Sequence, residues 1–463
     1  MNHDLDDLVV MKVVEEYLRQ NPSSRALYDR ARGLLPGRST RNVLYYPPFP
    51  VYMAAGKGSR IFDVDGNERI DFNFNNTTLI LGHNHPRVLE AVREQLGRGT
   101  VLGAPSEVEL KLAEELLGRL KGADMIRFTP SGTEANMQAV MLARCYTGKM
   151  KIAKFEGAYH GSWDTVDISV SPPLGLAGPD SEPRSVPQHD GIPKGVLENT
   201  LILPYNDAEA SEALIKGHRD DLAAVIVEPV QRDIPPKPGF LQSIRELTEQ
   251  LGILLIFDEV ISFRLSPGGA QRLYGVVPDI TTLGKIIGGG FPIGGYASTE
   301  DVMEPLIISQ SEFPALKPPK LGYSGTFNAH PIAMAAGLAV MRELTPPTYK
   351  MLEGLGEAMR EGLRRILEEE GIIAHVDGVG SLFNITWTGE KVVDYRTASS
   401  GDRVLERIFS LDLMNRGIYL RAHPNLSTAT TREEVERALE AVRLSIKELK
   451  PIIKERSPHL IIR

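Results

Sequence analysis

Cysteine is nearly absent from this sequence, in which Cys145 is the only one among 463 residues. A single cysteine excludes an internal disulfide framework and a metal cluster held by several cysteines. Because Cys145 stands at helical spacing from Met141 and Leu142, we interpret it as a small core residue rather than a nucleophile.

The chain also lacks a long apolar run, an excess of positive charge and a basic start. No stretch reaches the roughly 18 consecutive apolar residues of a membrane-spanning helix. The 52 basic and 60 acidic residues give a formal net charge of −8, which argues against a basic face for nucleic acid. The first residues, MNHDLDD, are acidic where a signal peptide would be basic. We therefore expect a cytoplasmic protein that binds neither nucleic acid nor membranes.

What is present predicts an α/β protein of more than one domain. MIRFT and the runs KIAKFEG, LAAVIVEPV, ILLIFDEV and GGYAST are typical of strands, with helical periodicity between several of them. Repeated alternation of this kind predicts a parallel sheet with helices on both faces. We assign residues 86–339 to this large domain. Residues 1–85 are predicted to form N-terminal helices and an extended arm that pack on a small α/β domain, 340–463.

Some segments have neither helical nor strand periodicity. Ser171–Thr200 is long and rich in proline and glycine, and a loop of this length is usually a lid or an interface arm. Glu312–Gly325 is a second irregular segment. His83 and His85 stand in a polar segment without a further acid or histidine at ligand spacing, so we predict a loop there rather than a metal site.

The most informative stretch is Leu251–Gly290. Its uncharged run ILLIF is followed at once by Asp258 and Glu259, which predicts a strand covered on both faces that ends in an acid. Ligands of open α/β sheets bind at the carboxyl ends of strands. Lys285 follows in TTLGKIIGGG, among small and apolar residues, where desolvation lowers the pKa of an amine. A neutral amine is what Schiff-base chemistry requires.

The motif PSGTEAN joins a predicted strand to a predicted helix. Ser131, Gly132 and Thr133 place hydroxyl and backbone N–H groups at the helix start, which suits a phosphate. Ser131 and Glu134 also have the spacing of a capping box, so an ordinary N-cap is the alternative.

Other polar residues follow predicted strands. Tyr159 and His160 come after KIAKFEG, where the tyrosine is either a stacking surface for a flat heterocycle or a core residue. Glu228 ends an apolar run as Asp258 does. The two carboxylates are an acid/base pair, metal ligands, supports for a cofactor, or plain strand ends that meet solvent. No histidine stands at a spacing that favours the metal.

One cofactor uses all of these features. Pyridoxal 5'-phosphate (PLP) needs a lysine for its aldehyde and a carboxylate for its pyridine nitrogen. Its phosphate suits a helix start, and its ring suits an aromatic side chain. The features together therefore predict PLP as the cofactor and no resident metal.

The chain resembles the class III aminotransferases, which are fold-type I PLP enzymes, from about residue 40 to the C-terminus. The resemblance is carried by FTPSGTEANMQAVMLARCYTGKMKIAKFEGAYHG, VIVEPV, LLIFDEVISFR, GAQRLYGVVPDITTLGKIIGGGFPIGGYAS and SGTFNAHPIAMAAG. Within that family it is similar to the branch of glutamate-1-semialdehyde aminomutase and the β-amino acid aminotransferases. The resemblance implies a large, mostly parallel-sheet domain covered by helices and a smaller α/β C-terminal domain.

The resemblance also implies roles for individual residues. Lys285 matches the lysine that forms a Schiff base with the cofactor and shuttles a proton. Asp258 matches the partner of the pyridine nitrogen. Val260 and Tyr159 match the contacts on the two faces of the ring, and Glu228 matches an acid near the cofactor's 3-hydroxyl and the substrate.

Further matches concern the phosphate and the substrate. Ser131, Gly132 and Thr133 match the phosphate loop. Thr326 in SGTFN matches a phosphate ligand donated by the neighbouring subunit, which implies a homodimer whose sites are completed in trans.

Two arginines are the candidates for substrate binding. Arg41 stands where this branch places an arginine for the substrate's carboxylate, which a guanidinium grips bidentately. The alternative is a surface arginine on an extended arm. Arg421 in GIYLRAHPNLST is the second candidate.

The sequence departs from the aminomutase at the short AHPNLST stretch, at the loop after YHG, and at TFNAHP. We therefore expect an aminotransferase that moves an amino group from an amino acid, such as a β-amino acid or an unusual α-amino acid, to a keto acid with ping-pong kinetics. A glutamate-1-semialdehyde aminomutase or a PLP-dependent epimerase is the alternative. A non-enzymatic PLP-binding protein is disfavoured because Lys285 and Asp258 are intact.

Overall fold

The computed structural model describes residues 8–308 and 318–462. The predicted irregular segment Glu312–Gly325 and the start of the predicted N-terminal helices therefore lie partly outside the described residues. Two compact units are present and are treated separately. The larger comprises residues 86–350 and 393–396, and the other comprises 8–85, 351–392 and 397–462. The domain limits at 85/86 and 339/340 stay a prediction.

A seven-stranded sheet forms the centre of the larger unit. Its strands, in spatial order, are Met125–Thr129, Gly294–Ser298, Ile280–Gly284, Leu254–Asp258, Leu222–Val227, Lys151–Phe155 and Thr200–Leu203. Gly294–Ser298 runs antiparallel to both of its neighbours, and the other described pairs are parallel. Leu222–Val227 and Leu254–Asp258 are buried at every position, because helices cover a parallel sheet on both faces.

The sequence predicted most of these strands. MIRFT forms the strand Met125–Thr129, and each of the other predicted runs contains an observed strand. Thr200–Leu203 and Ile280–Gly284 were not predicted. The second has the sequence ITTLG, whose threonines and glycine weaken the apolar signal although all five residues are buried. Lys285 follows this strand directly.

The helices account for much of the remaining described chain. They are Leu8–Gln20, Pro22–Arg30, Pro86–Arg98, Glu107–Leu117, Gly132–Thr147, Lys194–Glu198, Ala208–Gly217, Phe240–Leu251, Gly269–Tyr274, Glu300–Met303, Pro331–Glu343, Pro346–Glu369, Tyr395–Ser399, Arg403–Asn415 and Arg432–Arg456. A further helical turn, Phe74–Thr77, has positive φ angles and is treated below. Within the described residues, no helix has both the length and the apolar character that a membrane crossing requires.

The second unit contains a small sheet and its own core. Its strands, in spatial order, are Met53–Lys57, Arg60–Asp63, Glu68–Asp71 and Ile418–Tyr419. Arg60–Asp63 and Glu68–Asp71 pair antiparallel and form a hairpin around Asp65 and Gly66. A separate pair joins His375–Asp377 to Asn384–Thr386. Tyr17, Phe72 and Phe383 belong to one buried apolar cluster with many other residues of this unit.

Candidate active site

An acid and a lysine lie at the ends of neighbouring parallel strands in the larger unit. Asp258 is the last residue of its strand and stands opposite Thr282 of the adjacent strand. That adjacent strand ends at Gly284, and Lys285 comes next. The carboxyl ends of parallel strands meet at one edge of a sheet, which is where ligands bind in open α/β folds.

A hydrogen-bonded network fixes the carboxylate of Asp258. Its Oδ2 accepts a hydrogen bond from Asn136 Nδ2 at 2.7 Å and lies 2.8 Å from His160 Nδ1. Its Oδ1 accepts from the backbone N–H of Val260 at 3.1 Å. Thr282 Oγ1 in turn donates to Asn136 Oδ1 at 2.6 Å. A carboxylate accepts about four hydrogen bonds, so these contacts leave room for one further donor.

Lys285 has an unusual backbone and a lowered pKa. Its φ angle is +50°, in the left-handed region that residues other than glycine seldom adopt. Burial lowers the pKa of its amine from 10.5 to about 8, against the opposing effect of the negative charges of Asp258 and Glu228. A substantial fraction of the amine is therefore neutral near pH 8, as nucleophilic attack on a carbonyl requires.

Glu228 and Tyr159 are joined by a hydrogen bond. The Glu228 side chain is buried, and its Oε2 accepts from the backbone N–H of Tyr159 at 2.9 Å. Burial raises the pKa of Glu228, and the negative charge of Asp258 raises it further, whereas His160 lowers it. The Tyr159 residue is 47% exposed, so the alternative of a core tyrosine is wrong. Its ring is accessible to a flat ligand.

The start of the helix Gly132–Thr147 combines a cap with an anion-binding geometry. Ser131 Oγ accepts from the backbone N–H of Glu134 at 3.1 Å, as an N-cap does. The Glu134 carboxylate accepts from the hydroxyl of Tyr323, and no return bond from Glu134 to Ser131 is present among the described contacts. The first-turn N–H groups of a helix have no partner within it and suit an anion.

Val260 packs between this helix start and the residue before the lysine. A Cβ atom at Gly132 would lie 3.0 Å from Val260 Cγ2, and one at Gly284 would lie 3.2 Å from Val260 Cγ1. Both contacts are tighter than ordinary van der Waals packing, so the two glycines leave space for the valine. The apolar side chain is thereby held beside the helix start and the lysine.

These residues fit PLP. The helix start suits the phosphate, Asp258 has acceptor capacity for the pyridine N–H, and Lys285 has a pKa suited to an aldehyde. Tyr159 and Val260 offer an aromatic and an aliphatic surface. The sequence missed Asn136, His160 and Thr282 as members of the network. His160 was noticed beside Tyr159, but no pattern in the sequence shows which carboxylate it contacts.

The other predicted site residues lie outside this network. Thr326 is exposed in the larger unit, and its role in a neighbouring subunit stays a prediction. In the second unit, Arg41 is exposed, and its Nη1 donates to Asn75 Oδ1 at 2.7 Å. The guanidinium of Arg421 lies 4.2 Å from the centre of the Tyr46 ring, a cation–π distance. The substrate roles of both arginines stay predictions.

Comparison with known proteins places this geometry in a family. The model of the family "Aminotransferase class-III" matches residues 44–433. A glutamate-1-semialdehyde 2,1-aminomutase of Methanothermobacter thermautotrophicus is 42% identical over 426 residues, which cover 90% of this chain and 97% of that protein.

Solved structures of transaminases are also similar to this chain. An omega-transaminase from Sphaerobacter thermophilus is 42% identical with a TM-score of 0.86, covering 92% of this chain and 98% of that one. A transaminase with PLP bound is 37% identical with a TM-score of 0.84, covering 93% of this chain and 99% of that one. The predicted fold-type I PLP-transferase fold and the predicted cofactor are confirmed. The chain is a class III aminotransferase-family enzyme that depends on pyridoxal 5'-phosphate.

Proposed function

We propose that this protein transfers the amino group of a carboxylate-bearing amino substrate by PLP chemistry. The proposal depends on the placement of Lys285, whose pKa is lowered, directly after a strand of the parallel sheet. The adjacent strand ends at Asp258, whose carboxylate contacts His160. Family membership establishes the type of chemistry. The substrate is proposed, and so is whether the amino group moves within one molecule or between two.

The residues of this chain have separate tasks in the proposed reaction. Bound PLP supplies an electron-withdrawing ring that makes the substrate's Cα–H acidic. Lys285 would hold the aldehyde carbon of the cofactor until the amine of the substrate displaces it, and its freed amine would then remove the proton at Cα and deliver it to that aldehyde carbon. Asp258, oriented by Asn136 and His160, accepts the pyridine N–H. Ser131 and its helix start bind the phosphate.

Transfer within one molecule is the first candidate. The aminomutase relative is 42% identical over nearly its whole length, and the curated relatives support this isomerase more strongly than they support an aminotransferase. In that case the amine would leave one carbon of a substrate and return to its neighbour, and no separate keto acid would be consumed.

Transfer between two molecules is the second candidate, and it is supported by other observations. The omega-transaminase of known structure is also 42% identical, and the PLP-bound transaminase is 37% identical. The short AHPNLST stretch and TFNAHP depart from the aminomutase pattern in the segments expected to contact the substrate. A β-amino acid donor with 2-oxoglutarate or pyruvate as acceptor fits this candidate.

A direct experiment separates the two candidates. Purified holoenzyme is incubated with glutamate 1-semialdehyde alone, and separately with α-, β- and ω-amino acids in the presence of 2-oxoglutarate or pyruvate. 5-Aminolevulinate formed without an acceptor supports the aminomutase. Glutamate or alanine formed with an acceptor supports the aminotransferase. Failure of every reaction, with PLP bound, would contradict the proposed amino transfer.

We also propose that the active form is a homodimer in which Thr326 reaches the neighbouring site. Thr326 is exposed in the single chain, and a residue that contacts a second subunit must be exposed there. Mixing inactive Lys285→Ala and Thr326→Ala chains tests this, because heterodimers would regain one site with neither substitution. Absence of regained activity in verified heterodimers would contradict the trans arrangement.

A further inference from the structure

Four consecutive residues of the second unit form a left-handed turn. The φ angles of Phe74, Asn75, Asn76 and Thr77 are +45°, +52°, +52° and +73°. Asparagine tolerates this conformation, but a bulky phenylalanine and a β-branched threonine seldom adopt it. A run of four such residues therefore persists only because the surrounding structure imposes it.

The contacts around the turn account for its persistence. Asp71 Oδ1 accepts from the backbone N–H groups of Asn73 at 2.8 Å and Phe74 at 3.0 Å. The side chain of Asn73 accepts from the N–H of Asn76 at 3.0 Å. Phe74 and Thr77 have no exposed surface, so the two residues least suited to the conformation are held by packing.

The turn presents one exposed side chain to an arginine. Asn75 Oδ1 accepts from Arg41 Nη1 at 2.7 Å across 34 residues of sequence. Many arginines of this unit pair with acids, as Arg69 does with Asp63 and Arg416 with Asp412. Among the described residues, Arg41 makes no such ion pair. An amide orients a guanidinium without neutralising it, and it leaves the other N–H groups for a ligand.

The residue just before the turn, Asn73, holds the segment of the second candidate arginine. Asn73 Nδ2 donates to the backbone oxygen of Ala422 at 2.7 Å, next to Arg421. Asn425 Nδ2 donates back to the oxygen of Asn73 at 2.8 Å. The turn thus connects Arg41 with the start of the AHPNLST stretch, within one unit.

We infer that Asn75 is a positioning residue, which the left-handed turn holds in place so that Arg41 can grip the carboxylate of the substrate. This rests on the proposed function in one respect, namely that the substrate carries a carboxylate. The retained charge of Arg41 and the neutral partner are what a carboxylate-binding arginine requires. The strained backbone lets Asn75 and Asn73 serve two partners. The Asn75 amide reaches the guanidinium of Arg41, while Asn73 holds the segment at Ala422.

The test uses butanoate, a carboxylate without an amine, bound to PLP-loaded enzyme. Asn75→Gly removes the amide and keeps the left-handed backbone accessible. Asn84→Gly is the matched control, because Asn84 is exposed with φ +54° and bonds only to the oxygen of Gly56 among the described contacts. We expect Asn75→Gly and Arg41→Ala to raise the dissociation constant of butanoate, measured by NMR titration, about tenfold. Asn84→Gly should leave it unchanged.

A second variant covers the event that Asn75→Gly folds poorly. Asn75→Asp keeps a side chain that tolerates the left-handed region, but its charge would pair with Arg41 and compete with the ligand. It should weaken butanoate binding more than Asn75→Gly does, and the loss should shrink at high salt. Melting temperature and bound PLP are measured for every variant.

The outcomes separate this inference from the proposed function. If Arg41→Ala weakens butanoate binding and both Asn75 variants bind it as the wild type does, the positioning role is overturned while amino transfer stands. If the Asn75 variants weaken binding as expected but the enzyme transfers no amino group, the inference stands and the proposed function fails. Equal effects of Asn75→Gly and Asn84→Gly also overturn the inference.

Discussion

The two units of this protein place their functional candidates in opposite environments. In the larger unit, Asp258, His160 and Asn136 are all buried, and His160 and Asn136 both contact the carboxylate of Asp258. In the second unit, Arg41 and Asn75 are exposed, and one hydrogen bond joins the charged guanidinium to the neutral amide. Burial shifts the pKa values of Lys285 and Glu228, and such shifts suit acid–base chemistry.

The comparison teaches which part of the enzyme is free to vary. A buried hydrogen-bonded network cannot lose one member without leaving another polar group unsatisfied. An exposed arginine can be exchanged at little cost to folding. The predictions below test this contrast between a buried network and an exposed arginine, beginning with the largest expected effect.

The largest effect is expected for Lys285→Ala. Loss of the amine removes both the attachment to PLP and the proton carrier, so kcat should fall by about 10² to 10⁴. Mass spectrometry after borohydride reduction measures the attachment. Lys216→Ala is the control, since Lys216 forms an exposed pair with Glu212. Covalent PLP retained in Lys285→Ala would contradict the assignment of Lys285 as the attachment residue.

Asp258→Asn should have the next largest effect. The asparagine keeps the size of the side chain but brings no negative charge to the pyridine N–H, so kcat should fall by about 10² to 10³. Steady-state rates at saturating PLP measure it, with the circular dichroism spectrum as a check of folding. A loss of less than tenfold would mean that the buried network serves stability rather than catalysis.

Arg41→Ala tests the exposed candidate in the second unit. It should raise the KM of carboxylate substrates about tenfold and leave amines without a carboxylate unaffected, because one charge-assisted contact is lost. Arg38→Ala is the control, since Arg38 lies over the ring of Tyr28 at 4.4 Å. Equal changes for both classes of amine would show that Arg41 does not recognise the carboxylate.

An effect of about the same size is expected from pH. The pKa of Lys285 is lowered from 10.5 to about 8, so its neutral fraction rises with pH through 8 and levels off above it. Covalent attachment of PLP to the apoenzyme should be about tenfold faster at pH 9 than at pH 7. Stopped-flow absorbance at a series of pH values measures this. A rate that still rises steeply above pH 10 would indicate an ordinary lysine.

Residues that are close in sequence could be interpreted without a structure. The apolar run before Asp258 predicted a buried strand, and the motif from Ser131 to Glu134 predicted a helix start. The strand Ile280–Gly284 was missed because a buried strand of threonines and glycine lacks the usual apolar signal. Lys285 is nevertheless a candidate from the sequence alone, because its neighbours in sequence are small and apolar.

The sequence by itself determined the alternation of strands and helices, the cofactor, and the lysine and acid that are proposed to serve it, because these depend on local periodicity and short motifs. Only the tertiary structure decided that Asn136 and His160, 122 and 98 residues before Asp258, both meet its carboxylate. It also decided that Phe74–Thr77 is left-handed and delivers Asn75 to Arg41. Contacts between distant residues and a backbone conformation imposed by packing have no signature in local sequence.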